Sequence, residues 1–297
     1  MMTYKEQSNI QVPSIYHKKI GEVTVTVISD GGLQLPFWPY YELEEEKGTE
    51  ILNSNFQDSP PYLNTNCFVV NINGRLILID TGVGSILAPM VGHLKQNLTA
   101  AGISPEDIDT VLLTHIHPDH TNGMINADGT KAFPNAEVVV NYTEYNFWMD
   151  ETNMSQNADE IEKGNFMLAK AALTPYESSI RTFSNDESEP VHGIKAIEAP
   201  GHTPGHTAYL IESNGDKLLI WGDIIHNATL QLLRPDEKVA MDYNPVQAVT
   251  TRKRILDLAA NERLLVSGMH LDFPGFRHIK KEGNHYVQVL ERWKTEL

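Results

Sequence analysis

Residues 115 to 120 read His115-Ile116-His117-Pro118-Asp119-His120, which places four metal-ligating side chains within six residues. Neutral imidazole nitrogen and carboxylate oxygen are donors that divalent zinc accepts. Four such groups cannot comfortably surround one ion from so short a segment. The run therefore predicts two adjacent ions, completed by ligands from elsewhere in the chain. Such a pair supplies a water acidic enough to attack a carbonyl or phosphoryl centre at neutral pH, with no need of a serine or cysteine nucleophile. Three later residues qualify as the missing ligands because each falls at an expected strand end or turn. They are His202 in Gly201-His202-Thr203-Pro204-Gly205-His206, Asp223 in Gly222-Asp223, and His270 in Gly268-Met269-His270.

The elements that must carry these residues are legible from periodicity. Glu22 to Asp30 alternates β-branched and polar residues and predicts a strand ending at Gly31-Gly32. From Leu33 to about Tyr62 the alternation is lost in a loop or short-helix excursion with Pro36, Phe37, Trp38, Pro39, Tyr40 and Tyr41, a candidate lid. Cys67 to Ile72 and Arg75 to Asp80 flank Asn73-Gly74, the dipeptide of a type I′ hairpin, and the second strand delivers Asp80-Thr81-Gly82. Ile86, Leu87, Met90, Val91, Leu94 and Leu98 then recur at helical spacing up to Gly102.

Ser104-Pro105-Glu106-Asp107 predicts a short capped helix, and the strand Thr110 to Thr114 runs straight into the histidine motif. A strand follows over Glu137 to Asn141, and a mostly helical stretch over Tyr142 to about Ala172. A second hairpin, His206 to Ser213 and Lys217 to Trp221 around Asn214-Gly215-Asp216, ends at Asp223. A helix over Pro245 to Ala260 and a buried strand over Leu264 to Ser267 close the pattern. Two β-rich halves with flanking helices predict an α/β fold, a four-layer αββα sandwich, because each sheet must have its apolar face covered.

Composition narrows the function classes. The 297 residues fit a single large α/β domain, 1-297, with 1-62 as an N-terminal strand and aromatic-loop elaboration. A net charge of -16 works against binding polyanions, so nucleic acid is not an expected partner. The one cysteine, Cys67, sits in an apolar strand and is expected to be a buried, inert thiol. No window is long and apolar enough for a membrane span, and Met1 to Ser8 lack the apolar core of a secretory leader, so a cytoplasmic location is expected. Of the other histidines, His206 is expected to support its turn. His17, His93, His192, His278 and His285 are expected on the surface, on helices or in a late polar segment. His226 follows Asp223 by three residues and is a candidate to face the pocket.

The order of these motifs, HxHxDH, a GHTPGHT turn, Gly-Asp after a strand and a strand-terminal histidine, resembles the metallo-β-lactamase superfamily over nearly the whole chain. The resemblance implies that His115, His117 and His202 hold a first metal and that Asp119, His120 and His270 hold a second. It further implies that Asp223 bridges both and that Asp80 is a buried supporting acid. Within the superfamily the chain looks most like the methyl parathion hydrolase branch, itself related to the N-acyl homoserine lactonases. The stretches that carry this likeness are Phe133-Pro134-Asn135-Ala136, Phe147-Trp148, Gly201 to Thr207, Gly222 to His226 and His270 to Ile279.

Redox di-iron relatives replace the second histidine of the run by glutamate, whereas this chain has His117, so hydrolysis is expected. The resemblance implies two divalent ions, zinc being the expected metal, with Asp119 and Asp223 as the catalytic carboxylates. Asp119 would orient the attacking water and carry its proton to the leaving group. Phe147, Trp148, Phe166, His226 and Phe273 are candidate walls of an apolar substrate pocket. The expected substrate is an N-acyl homoserine lactone, the alternative an aryl phosphotriester, with a non-catalytic metal-binding module as the rival class. Related lactonases place a tyrosine near His226 to contact the substrate carbonyl, and this chain has none at the matching position. Likeness to dimeric relatives, together with an exposed Leu33 to Tyr41 segment, suggests a homodimer.

Overall fold

The computed structural model describes residues 12, 14–86, 89–156 and 160–297. Its first sheet holds seven strands in chain order: Ile15–Ile20 (β1), Val23–Gln34 (β2), Tyr62–Ile72 (β3), Arg75–Ile79 (β4), Thr110–Leu112 (β5), Glu137–Asn141 (β6) and Ile180–Phe183 (β7). The second holds six: Ile194–Glu198 (β8), Thr207–Ser213 (β9), Asp216–Ile220 (β10), Leu265–Ser267 (β11), Arg277–Glu282 (β12) and His285–Leu290 (β13), stacked in reverse order from β13 to β8. The helices are Phe37–Tyr40 (α1), Glu45–Ser54 (α2), Leu94–Ala100 (α3), Pro118–Thr121 (α4), Tyr142–Met149 (α5), Glu151–Gln156 (α6), Glu160–Leu173 (α7), Ala228–Leu233 (α8) and Pro245–Asn261 (α9). No helix among the described residues is long and apolar enough to cross a membrane.

The four layers follow from the two-residue period of the strands. Val25, Val27, Phe68, Val70, Ile77 and Ile79 of the first sheet face Tyr209, Ile211, Leu218 and Ile220 of the second, forming the core between the sheets. The alternate residues Cys67, Val69, Leu78, Val111 and Val138 face outward onto α3, α5 and α7. On the far side Leu219, Trp221 and Val266 pack against Ile255, Leu256 and Ala259 of α9. Cys67 is fully buried, and burial pushes its thiol well above the ordinary range.

Both hairpin turns form as their sequences require: Asn73 and Gly74, and Asn214 and Gly215, all have positive φ. Four expectations need correction. First, Gly31-Gly32 does not end the strand. The ladder continues to Gln34 through a bulge in which Asp30 is the extra residue between the pairs Ser29↔Asn66 and Gly31↔Thr65. Second, the helix expected from Ile86 begins only at Leu94. Ile86 and Met90 are 52% and 59% exposed, so their helical spacing is coincidental, and Leu87 lies outside the described residues.

Third, the late polar segment forms the antiparallel pair β12/β13, whose polar residues suit the exposed edge of the sheet. Fourth, Phe37 and Tyr41 are buried within this chain against Leu52, Leu230 and Val239, so they are not free for a partner. The side chains of Trp38 and Pro39 lie outside the described residues, as do residues 157–159 of the long helical stretch and Met1 to Ser8.

The bulged Asp30 organises the loop behind the site. Its carboxylate, fully buried, accepts hydrogen bonds from the backbone N–H groups of Val83 (2.9 Å), Gly92 (3.2 Å) and Leu94 (2.8 Å). Gly82, with φ +73°, lets the chain pass so close that a Cβ there would sit 2.5 Å from the Asp30 carboxyl carbon. Removing this acceptor strands three amides, each costing about 1–3 kcal/mol if left unsatisfied. Asp30→Ala is therefore expected to lower unfolding free energy by about 3 kcal/mol or more, measured by urea unfolding. A loss below about 1 kcal/mol would mean that water replaces the carboxylate.

Candidate metal centre

The loops that follow the parallel strands β4 and β5 meet those that follow the parallel strands β10 and β11. Asp80 follows β4, the histidine run follows β5, Asp223 follows β10 and His270 follows β11. β9 is antiparallel to β10, so the turn preceding it brings His202 to the same edge. Two hydrogen bonds fasten the sheets here, Thr207 N–H to Thr114 O at 2.9 Å and Tyr209 O–H to Leu113 O at 2.6 Å.

The seven ligands expected from the sequence converge in two groups that share Asp223. His115 Nε2 lies 3.1 Å from His117 Nδ1, which lies 2.9 Å from His202 Nε2. His120 Nε2 lies 3.4 Å from Asp119 Oδ2 and 3.3 Å from Asp223 Oδ1, and His270 Nε2 is 3.4 Å from Asp119 Oδ2. Asp223 Oδ2 stands 3.3 Å from His202 Nε2 and 3.0 Å from His270 Nε2. Donors about 2.0–2.2 Å from a tetrahedral ion stand roughly 3.3–3.6 Å from one another, so most of these separations approach the edges of coordination tetrahedra. His120 Nε2 and Asp223 Oδ1 are buried without a hydrogen-bond partner, as donors reserved for a cation would be.

The electrostatics agree. Burial, reinforced by neighbouring imidazoles, holds His115 and His117 well below the usual histidine range, in the neutral form that binds metal. Burial alone would raise the carboxyls of Asp119 and Asp223, but the surrounding histidines override it and keep both ionised. Burial likewise opposes charge on His202 and His270, yet Asp223 raises both, His202 to about 9. Protons there occupy the place of a cation, so metal binding at this site should release protons.

Several of the candidate ligands are aimed by a group behind them. Asp80 takes positive φ (57°), accepts from Thr114 N–H at 2.8 Å, and lies 2.7 Å from His120 Nδ1. His270 Nδ1 donates to Asn64 O at 2.7 Å. The side-chain amide of Asn66 ties down the turn carrying His270 through Met269 O (3.0 Å) and Leu271 O (2.7 Å). His206 supports the neighbouring loop, its Nε2 accepting the Asp223 N–H at 2.9 Å. Gly222 is required at that contact, since a Cβ would meet the same nitrogen at 2.4 Å.

Three supporting residues escaped the sequence reading. Asp242 Oδ1 lies 2.9 Å from His202 Nδ1, fixing that ring's orientation. Arg252, almost fully buried, lies 3.7 Å from Asp242 Oδ2 and donates at 3.0 Å to the carbonyl oxygen of Ile224, the residue next to Asp223. Glu144, fully buried, accepts from Ile116 N–H and Gly205 N–H. None has ligand spacing. Their only signal is polarity in segments that otherwise read as helix or loop.

Of the expected pocket walls, Trp148 sets its ring edge-on to His117 at 5.3 Å. Phe147 makes edge-on ring contacts with Trp148 and with Tyr243, a 60% exposed residue whose backbone N–H donates to His202 O. Phe166 lies behind Trp148 in the outer core, and Phe273 packs on the core between the sheets. His226 is buried among the ligands, its Nε2 3.3 Å from Asp223 Oδ2 and its ring stacked on His270 at 5.5 Å. Neither of its ring nitrogens has a hydrogen-bond partner.

The chain belongs to the metallo-beta-lactamase superfamily: the sequence model of that family matches residues 60–270, and the two-sheet architecture agrees. Among curated proteins it resembles N-acyl homoserine lactonase AiiA of Bacillus thuringiensis subsp. kurstaki, 25% identical over 79% of this chain and 80% of that one. Among solved structures it matches hydrolase AbOPH of the beta lactamase superfamily, with 32% identity and a TM-score of 0.90 over 96% of this chain and 100% of that one. The fold also matches AidC, a dizinc quorum-quenching lactonase, at 24% identity and a TM-score of 0.89 over 95% and 99% of the two chains. The chain is thus a metal-binding hydrolase of this superfamily, with histidine and aspartate clusters that fit a dinuclear centre.

Proposed function

We propose that the protein opens the lactone ring of N-acyl homoserine lactones, using two divalent ions, zinc in this reading, held by His115, His117, Asp119, His120, His202, Asp223 and His270. The observation that carries the hydrolytic part is Asp223, whose Oδ1 lies 3.3 Å from His120 Nε2 and whose Oδ2 stands between the two groups, 3.3 Å from His202 Nε2 and 3.0 Å from His270 Nε2. The lactone part is supported by the names of the AiiA and AidC relatives. The bound ions would supply Lewis acidity and an acidified water.

The chain's own residues do the rest. Asp119, with its side chain 31% exposed at the mouth of the site, orients the attacking water and takes its proton. Water oxygen bonds to the lactone carbonyl carbon, the ring C–O bond breaks, and the ring oxygen leaves with that proton as the homoserine hydroxyl. His226 contacts the ring, and Phe147, Trp148 and Tyr243 line the acyl side.

The test is a side-by-side steady-state assay of the zinc-loaded protein on a long-chain acyl homoserine lactone and an aryl phosphotriester, with Asp119→Ala as blank. A lactone kcat/KM within roughly 10⁴–10⁸ M⁻¹s⁻¹ and far above the phosphotriester value supports the reading. The reverse ranking overturns it in favour of an organophosphate hydrolase. His226→Ala is expected to lower lactone kcat/KM by about 10- to 100-fold, roughly 1.4–2.7 kcal/mol, while retaining two ions per chain. Unchanged kinetics would remove His226 from the substrate site.

A further inference from the structure

Glu144 is a carboxylate sealed inside the protein, outside the ligand set, at the start of α5. Its Oε1 accepts the Ile116 N–H at 2.9 Å and the Trp148 indole N–H at 2.7 Å, and its Oε2 accepts the Gly205 N–H at 2.8 Å. Ile116 is the residue between His115 and His117, and Gly205 lies in the turn that carries His202. One side chain therefore joins the two backbone segments that present the first histidine group. The approach is as tight as the chain permits: a Cβ at Gly205 would lie 2.3 Å from Glu144 N and 2.6 Å from its Cβ. Asn141 caps the same helix turn, accepting from Thr143 N–H at 2.8 Å and fixing where Glu144 stands.

A charged group at this depth is costly, and a hydrophobic side chain would fill the space more cheaply. What a carboxylate adds is acceptor capacity on both oxygens. Three N–H groups point at it from three segments, and no neutral side chain of that shape accepts on both sides. A glutamine would turn its own N–H2 toward an amide donor. The distance the bridge controls is functional, because the His117 and His202 nitrogens that must share an ion are 2.9 Å apart across the two segments.

Building on the two-ion reading, we infer that Glu144 is a positioning residue that sets the gap between the His115/His117 loop and the His202 turn, and so tunes the affinity of the first ion site without touching the second. The second group, on Asp119, His120 and His270, is aimed instead by Asp80 and Asn64.

The test counts ions rather than turnover. Metal-free protein is titrated with zinc against a chromogenic chelator, with Glu144→Gln placed in two backgrounds. His270→Ala cripples the second site and reports on the first, and His117→Ala does the reverse. Glu144→Gln is expected to weaken zinc binding by about 10- to 100-fold in the His270→Ala background, the range typical for removing a group that orients a ligand. In the His117→Ala background the change should stay within about threefold.

Equal weakening of both sites would make Glu144 a general stabiliser, and no weakening of either would remove the role altogether; either outcome overturns the inference. Should the glutamine variant be recovered unfolded, Glu144→Asp carries the same comparison, since it keeps the charge and withdraws it by one methylene. If the wild-type chain itself fails to take up two ions, the two-ion reading falls and this inference with it, a result visible before any variant is made.

Discussion

Asp223→Ala should abolish hydrolysis, lowering kcat/KM by at least about 10³-fold, roughly 4 kcal/mol of transition-state stabilisation. The Asp223 carboxylate has His115, His120, His202, His226 and His270 nitrogens within 3.8 Å, more than any other group in the site. Taking away this anion leaves several buried imidazoles facing one another across a cavity, with nothing to bridge the two ligand groups. Metal content should fall along with activity. Asp223→Asn, which keeps the shape and loses the charge, should behave nearly as badly, because a neutral amide cannot offset the positive charge, of bound ions or of protonated histidines, that the carboxylate answers. A variant that keeps more than about a tenth of wild-type activity would deny Asp223 the bridging role.

Metal removal should produce the second large effect. A ligand that binds only the folded state stabilises it by RT ln(1 + [L]/Kd), about 2.7 kcal/mol per ion at one hundred times Kd. Two ions then contribute roughly 5 kcal/mol, and for a chain of this size chelation should lower Tm by on the order of 10 °C. The effect should be reversed by returning zinc. Physically, the stripped site must hold ionised Asp119 and Asp223 against a crowd of imidazoles by protonating His120, His202 and His270 instead. Differential scanning calorimetry with and without chelator measures the difference. A Tm shift under about 2 °C would mean that these side chains are organised without ions.

The parts of the molecule that could be read in advance are those whose signal is local. His115, His117, Asp119 and His120 fall within six residues, so their spacing alone pointed to the clusters that fit a dinuclear centre. Asn73-Gly74 and Asn214-Gly215 encode their turns in two residues each. The errors arose where tertiary context outweighed local pattern. Gly31-Gly32 looks like a turn, but pairing of β2 with β3 carries the strand past it, and the misfit is absorbed by a bulge at Asp30. Ile86 and Met90 share a helical period with Leu94 and Leu98 but not their burial, which only the packing of Leu94 and Leu98 on the sheet could reveal. β12 and β13 escaped notice because an edge strand carrying Lys280, Lys281 and Glu282 has little apolar alternation to display.

The supporting acids form the other gap. Asp80 was expected because the superfamily resemblance implies a buried acid at that motif. Glu144 and Asp242 are about as important to the geometry, yet they act on partners 28 to 61 residues away, Glu144 through both carboxylate oxygens and Asp242 through one. Nothing in a linear pattern distinguishes such a carboxylate from a solvated one on a helix surface. Burial is what gives them meaning.

Titrating metal-free protein with zinc while following the ring opening of a long-chain acyl homoserine lactone shows whether a two-ion centre in this fold opens a lactone. Activity is expected to rise and then break sharply at two ions per chain, with the opened acyl homoserine as product. A break at one ion, or no ring opening at any zinc ratio, would contradict it.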